Sequence, residues 1–383
     1  MILYGGLVYR TEARCFEAMD LWIEDEVIRG VGPRGAFDAC GGERFSVEGK
    51  WLVPGLIDVH THGRIGFDFV SASEEEIGRM AEDYAKRGVT TLMPTVETAT
   101  YEQMLAMTDL LNRYVPKAGQ ANFCGVHWEG RYMNPEKRGA HALPLLSPPV
   151  AEELDAETLR MCKKLHISVA LEMDRDGSFA AQAKAMGATL GLAHTTATYA
   201  EAKRAEELGI VSYTHLYNCM PPLHHRDGGA VCAALEGDKY AELISDGVHI
   251  SPEMIRLATR AKGVDRITLI SDSVAAAGYP DGHYAVGGLP ITVKDGIART
   301  DENGALAGST LSLDTAVNRF SEFCGLPLTE AILAATKNPA MQVGVYDTYG
   351  SIDEGKSADI LVLPTPDRLE PERILLRGQW LSL

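Results

Sequence analysis

The chain has 383 residues, 45% of them hydrophobic, and a formal net charge of −17. That length supports one large domain with a smaller one beside it, while the acidity and the lack of a Lys/Arg cluster argue against a nucleic-acid footprint. No apolar stretch is long enough to span a bilayer, so no membrane partner is expected.

The N-terminal stretch MILYGGLVYRTEARCF has no basic leader followed by an apolar core and a small-residue cleavage site. Seven cysteines are scattered without a CxxC pair, which fits reduced thiols better than a disulfide frame. The expected location is cytoplasmic. Residues 1–50 read as short strands divided by turns, in MILYGGLVYR, AMDLWIEDEVIRGVG and ERFSVEGKWLVPG. The far end, GSIDEGKSADILVLP and then RILLRGQW, has the same character. Residues 1–50 and 346–383 are therefore expected to build one small β-sandwich domain from both chain ends.

Residues 51–345 differ. Short apolar runs alternate with helical periods, the pattern of a parallel sheet covered on both faces. The predicted strands are Leu52–His60, Val89–Val96, Asn122–Glu129, Ile167–Met173, Thr189–His194, Ile210–His215, Ala241–Val248 and Arg266–Ser271. Helical stretches fall between them, such as SEEEIGRMAEDYAKRG, YEQMLAMTDLLNRYV and YAEAKRAEELG, several of them stopped by Gly. LSLDTAVNRFSEFCG and LTEAILAATKNPA would close the structure after strand eight. The expected fold class is α/β, a (β/α)8 TIM-like barrel carrying the small β-sandwich. In such a barrel the chemistry sits at the C-terminal ends of the strands.

Polar residues punctuate those ends. In GLIDVHTHG, His60 and His62 are two apart, so on a strand both project into one space. Two imidazoles so placed suit one metal site, and on the motif alone a hydrogen-bonded structural pair explains them equally well. Glu129 ends strand three, His194 strand five, His215 and Asn218 strand six, and Asp272 strand eight, with His249 just beyond strand seven. One such residue is usually structural. Several at one face point to a metal centre, with a donor set suited to zinc or iron.

These segments carry a resemblance. PGLIDVHTHG resembles the opening motif of the amidohydrolase superfamily. HWEGRYMNPEKRGAH, LAHTTA, THLYNCM, LISDGVH, LISDSVAAAG, LAGST and NPA together resemble the N-acetylglucosamine-6-phosphate deacetylases within it, over essentially the whole chain. The resemblance implies an enzyme that hydrolyses an acetamide on a small phosphorylated amino sugar, with one or two divalent metals per chain. It implies Glu129, His194 and His215 as metal ligands, and His60 and His62 as the pair supporting a second metal bridged through Glu129. Asp272 matches the catalytic aspartate, itself beside the metal. His141 matches a histidine near the acetamide or ring, and Asn218, Cys219, Arg226 and His249 match positions that hold the sugar phosphate. A homodimer is implied as well.

The chain departs from the family pattern in HWEGRY for HLEGPF, NCM for NAM, Thr196 after His194, and Arg226-Asp-Gly-Gly for Arg-x-Pro-Gly. Trp128, Arg131 and Tyr132 are expected to make the wall near Glu129 bulkier and more charged. The galacto epimer or another amino-sugar phosphate thus stays open as substrate. Glu172 is expected to support the site and Asp246 to shape the turn after strand seven. A cyclic-amide hydrolase of the dihydroorotase type would use a carboxylated lysine on strand four, yet ISVALEMD has none. A barrel reduced to a structural role would be expected to lose ligands, and this chain keeps them.

Overall fold

The computed structural model describes residues 1–382. Eight parallel strands form a barrel: β1 (Leu56–Thr61), β2 (Val89–Glu97), β3 (Gly125–Glu129), β4 (Lys164–Val169), β5 (Thr189–Leu192), β6 (Ile210–Tyr213), β7 (Tyr240–Leu243) and β8 (Ile267–Leu269). Each pairs in parallel with the next in the chain. Every residue of β1 and β2 is buried, as expected for a sheet with helices outside and packed side chains inside.

The β8–β1 seam is closed by single contacts. Asp272 N donates to His60 O at 3.0 Å, and His62 N donates to Ser273 O at 2.8 Å. The fully buried Asp58, the polar break in the first apolar run, accepts from the backbone N–H of both His60 and Ser271 at 3.3 Å. It staples the seam directly beneath the strand-end histidines.

Helices Glu74–Lys86, Tyr101–Arg113 and Tyr199–Leu208 each start with a capping box, Ser73 with Glu76, Thr100 with Gln103 and Thr198 with Glu201. Gly209 ends the third at φ 104°, a left-handed cap that only glycine adopts without strain.

The two chain ends share one eight-stranded sheet. Its order is Gln379–Trp380, Arg373–Leu376, Ile360–Leu363, Trp51–Pro54, Ile2–Arg10, Cys15–Glu24 and Val27–Pro33, with Arg44–Ser46 also on Ile2–Arg10. It packs around its own core, including Leu3, Val8, Leu21, Ile360 and Leu375.

The strand predicted as Leu52–His60 is two strands in two sheets. Trp51–Pro54 pairs antiparallel with Ile360–Leu363, and β1 starts at Leu56. Gly55 makes the crossing because a Cβ there would collide with the Thr90 side chain. Gly55→Ala should therefore destabilise the protein by about 1–3 kcal/mol, the usual cost of overpacking a tight core. A melting temperature equal to wild type would show that the crossing has slack.

Other boundaries shift. Strand three is broken at Cys124, leaving Asn122–Phe123 as a short piece on β2. Strand four ends at Val169, and Leu171–Met173 is a 3₁₀ turn. Strands five to eight stop two to five residues short of their predicted ends, because the backbone leaves the ladder where polar side chains turn inward. Between β8 and helix Leu313–Cys324 lies a three-stranded antiparallel flap that was not anticipated, Gly282–Val286, Leu289–Lys294 and Ile297–Thr300. Its Gly287-Gly288 and Asp295-Gly296 turns have positive φ at both central residues, as two-residue hairpins require.

Candidate metal centre and substrate cavity

The site begins with backbone. His194, His215 and Asp272, just past β5, β6 and β8, have φ of 42°, 31° and 50°. Left-handed conformations outside glycine are costly and gather at functional sites. Here they follow directly on the strand ends. Glu129 is the last residue of β3, so strand alternation sends it to the barrel mouth and Trp128 to the opposite face.

Glu129 is the hub. Its Oε2 lies 3.3 Å from His60 Nε2 and 3.1 Å from His62 Nε2. Its Oε1 lies 2.8 Å from His215 Nε2 and 3.4 Å from His194 Nε2. Asp272 Oδ1 is 3.0 Å from His62 Nε2 and 3.4 Å from His60 Nε2. One carboxylate thus faces a histidine pair with each oxygen, and a second carboxylate closes the His60–His62 side. Two groups of donors sit close enough to hold a cation, His60–His62–Glu129–Asp272 and Glu129–His141–His194, and all of these residues are buried.

The other ring nitrogens of His60 and His194 are held from outside. His60 Nδ1 is 3.3 Å from Glu242 Oε2, whose other oxygen accepts from Gln342 Nε2 at 2.6 Å. His194 Nδ1 is 2.8 Å from Lys137 O. Such outer contacts fix the ring and aim Nε2 at the centre, the usual arrangement of a metal-ligating histidine. His60 Nε2 is buried and makes no hydrogen bond among the described residues. An orphaned donor atom facing two carboxylates is what a cation ligand looks like before the cation, and the donor set fits a divalent metal.

Burial opposes charge on the His60 ring, but Glu129 and Glu242 outweigh it and raise its pKa to about 10. Burial likewise works against ionised Glu129, yet His60, His194 and His215 hold its carboxyl well below the usual range. Asp272 is held low in the same way by His62 and His60. The cluster draws positive charge toward its carboxylates, an attraction that a metal ion satisfies more fully than protons do. Burial, helped by His194, keeps His141 neutral, its Nδ1 2.8 Å from Thr98 Oγ1.

The centre opens into a cavity of about 200 Å³. His62, Glu129, His141, His194, His215, Asn218, Cys219, His249 and Asp272 line it, while His60 is fully buried beneath. The flap and the segment after it supply Val286, Ala305, Leu306 and Gly308 as an apolar wall. Arg226 is not among the lining residues and lies exposed on the loop after β6. His249 Nδ1 is 2.7 Å from Asp246 Oδ2, and Asp246 Oδ1 accepts the backbone N–H groups of Val248 and His249. Asp246 therefore shapes the turn and also orients His249. Glu172 accepts from Thr195 Oγ1, Thr196 N and Asn134 Nδ2, holding the loop that carries His194.

The wall expected from HWEGRY is different. Trp128 is fully buried behind β3, donating to Thr108 Oγ1 at 2.7 Å. Tyr132 bonds Glu153 at 2.6 Å, and Arg131 pairs with Glu153 at 3.2 Å over the Tyr101 ring. None of the three lines the cavity. Alternation from Glu129 forces Trp128 outward, and Glu153 draws the other two away. The sequence reading also missed Glu97, which ends β2 and lines the cavity, and Glu242 inside β7. The signal for Glu242 was an acid within the apolar run of AELIS.

A (β/α)8 barrel with a buried imidazole–carboxylate centre at its mouth is the architecture of a metal-dependent hydrolase, and the amidohydrolase family profile matches residues 51–380. The chain is 33% identical to the N-acetylglucosamine-6-phosphate deacetylase of Lysinibacillus sphaericus, over 91% of this chain and 89% of that protein. It is 32% identical to the N-acetylgalactosamine-6-phosphate deacetylase of Escherichia coli O157:H7, over 94% and 96%. Among solved structures, the N-acetylglucosamine-6-phosphate deacetylase of Mycobacterium smegmatis superposes with a TM-score of 0.89 at 30% identity, covering 100% of both chains. That of Thermotoga maritima gives 0.86 at 31%, covering 100% and 99%. The chain belongs to the amidohydrolase family and, within it, to the N-acetylglucosamine-6-phosphate deacetylases.

Proposed function

We propose that the chain hydrolyses the acetamide of N-acetyl-D-glucosamine 6-phosphate to glucosamine 6-phosphate and acetate, using one or two zinc or iron ions. The observation that carries this is Glu129, which faces a histidine pair with each oxygen beside Asp272 where the barrel opens into its cavity. His60, His62, Glu129 and Asp272 would hold one ion, and Glu129, His194 and His215 the other. A metal held there would supply a water of lowered pKa and a polarised amide carbonyl. Asp272 takes the proton of the attacking water and returns it to the departing nitrogen. His141 Nδ1 lies 2.8 Å from Thr98 Oγ1, and with its proton on Nε2 the ring can donate to the carbonyl oxygen as charge builds there.

At the other end of the cavity, Asn218, the Cys219 segment and His249 bind the sugar phosphate. Burial disfavours charge on His249, but Asp246 outweighs it and raises the ring's pKa, which suits an anion. Arg226 completes the phosphate site from its exposed loop in a homodimer. Arg226→Ala should raise KM for the phosphorylated sugar and leave the unphosphorylated one nearly unchanged. Equal losses on both would assign Arg226 to loop folding.

Glu242 and Gln342 fix the His60 ring. Glu242→Ala should weaken metal binding at the His60–His62 side by roughly 10–100-fold. Titration with a chelator measures this, and unchanged affinity would make the contact structural only. Among the described residues no helix is long and apolar enough to cross a membrane, and we place the reaction in the cytoplasm. Acetate release from the gluco and galacto N-acetyl 6-phosphates and the unphosphorylated gluco sugar tests the assignment, with the first expected to be preferred. The galacto relative, at similar identity, makes that epimer the second reading.

A further inference from the structure

Glu97 ends β2 directly beside Glu129, its register partner on β3. Its residue is 3% exposed and lines the cavity. Among the described residues its Oε2 has no hydrogen-bond partner. Oε1 has His141 Nδ1 3.7 Å away, beyond hydrogen-bond range, and that nitrogen is already bonded to Thr98. Above it the flap turn arrives at Gly287, where a Cβ would sit 2.9 Å from Oε2, so the flap meets the carboxyl with the one residue that has no side chain. The other charged groups acting on it include the carboxylates of Asp68, Glu129 and Asp272, with His62 opposing them.

A buried carboxyl without a partner is costly, and an apolar side chain of similar size would make a more stable barrel. A group kept at such a cost, aimed into a substrate cavity, is paired when the ligand arrives. The cavity's metal end is occupied by the amide and its far end by the anion. Hydroxyl groups are what an amino sugar presents between them. We infer that Glu97 is a specificity-determining residue that hydrogen-bonds a ring hydroxyl of the substrate, so that the site selects hydroxylated amides over equally sized deoxy ones. This rests on the amino-sugar reading above.

The test uses the metal-loaded full chain, wild type and Glu97→Leu. It measures melting temperature, metals per chain, and kcat/KM on N-acetylglucosamine 6-phosphate and its 1-, 3- and 4-deoxy analogues. Glu97→Leu should raise the melting temperature and keep the wild-type metal content. Its kcat/KM on the parent sugar should fall roughly 10- to 100-fold, the size of one hydrogen bond to such a group. One deoxy analogue should show that same loss with wild type and no further loss with the variant, because both remove the same contact. Losses that simply add for all three analogues overturn the inference, as does a variant that loses metal or melts lower than wild type. Glu97→Gln, of nearly the same shape, guards against a packing effect and should keep part of the discrimination. If wild type releases no acetate from the parent sugar, the amino-sugar reading falls and takes this inference with it. If it does and the losses add, only the inference falls.

Discussion

Asp272→Asn should fold, load metal, bind substrate and lose kcat by about 10²–10⁴-fold, the contribution typical of a positioned acid–base group. Asp272 sits at φ 50°, a conformation that asparagine adopts more readily than other side-chain-bearing residues, so the exchange leaves the backbone at ease. The amide keeps the size of the carboxylate and an oxygen in the place of Oδ1, now 3.0 Å from His62 Nε2. It cannot take up a proton and give it back. Loss of metal together with activity would make Asp272 a ligand and nothing more. Turnover within a few-fold of wild type, with metal retained, would remove it from the proton path altogether.

Glu129→Gln should have an effect of comparable size by another route. The two carboxylate oxygens face different histidine pairs, 3.1–3.3 Å on one side and 2.8–3.4 Å on the other. An amide offers one oxygen and one NH₂, so one half of the centre would meet a donor where it needs an acceptor. Metal content should fall by at least one ion per chain, and activity by more than the roughly 10–100-fold lost with an outer contact. A variant that still carries two ions would show that the carboxylate does not bridge. His60→Ala and Asp272→Asn are useful beside it, since each touches only one half.

Much of this centre was legible because parallel strands buried on both faces read as apolar runs, and their polar last residues stand out. His60, Glu129, His194 and Asp272 are visible in the sequence that way. Glu97 is not, since the predicted strand stops at Val96, one residue short. Gly55 was invisible inside a continuous apolar run, because hydrophobicity does not record which of two sheets a residue joins. The direction of Trp128 was available from alternation once Glu129 was placed inward, and chemistry was read from its size instead. The flap carries Gly-Gly and Asp-Gly hairpin turns between alternating strands, a period-two signal unlike the apolar runs and helical periods of the barrel around it.

The shared sheet of the two chain ends has a consequence for biosynthesis. Trp51–Pro54 emerges from the ribosome early, while its neighbour Ile360–Leu363 emerges only after the entire barrel. Until then an edge backed by buried Leu52 and Val53 stands open to any strand that can pair with it, in the same nascent chain or in another. A message cut short before residue 360 therefore encodes a complete barrel next to an adhesive edge, and its product is destined for aggregation or for chaperones rather than for a smaller working enzyme.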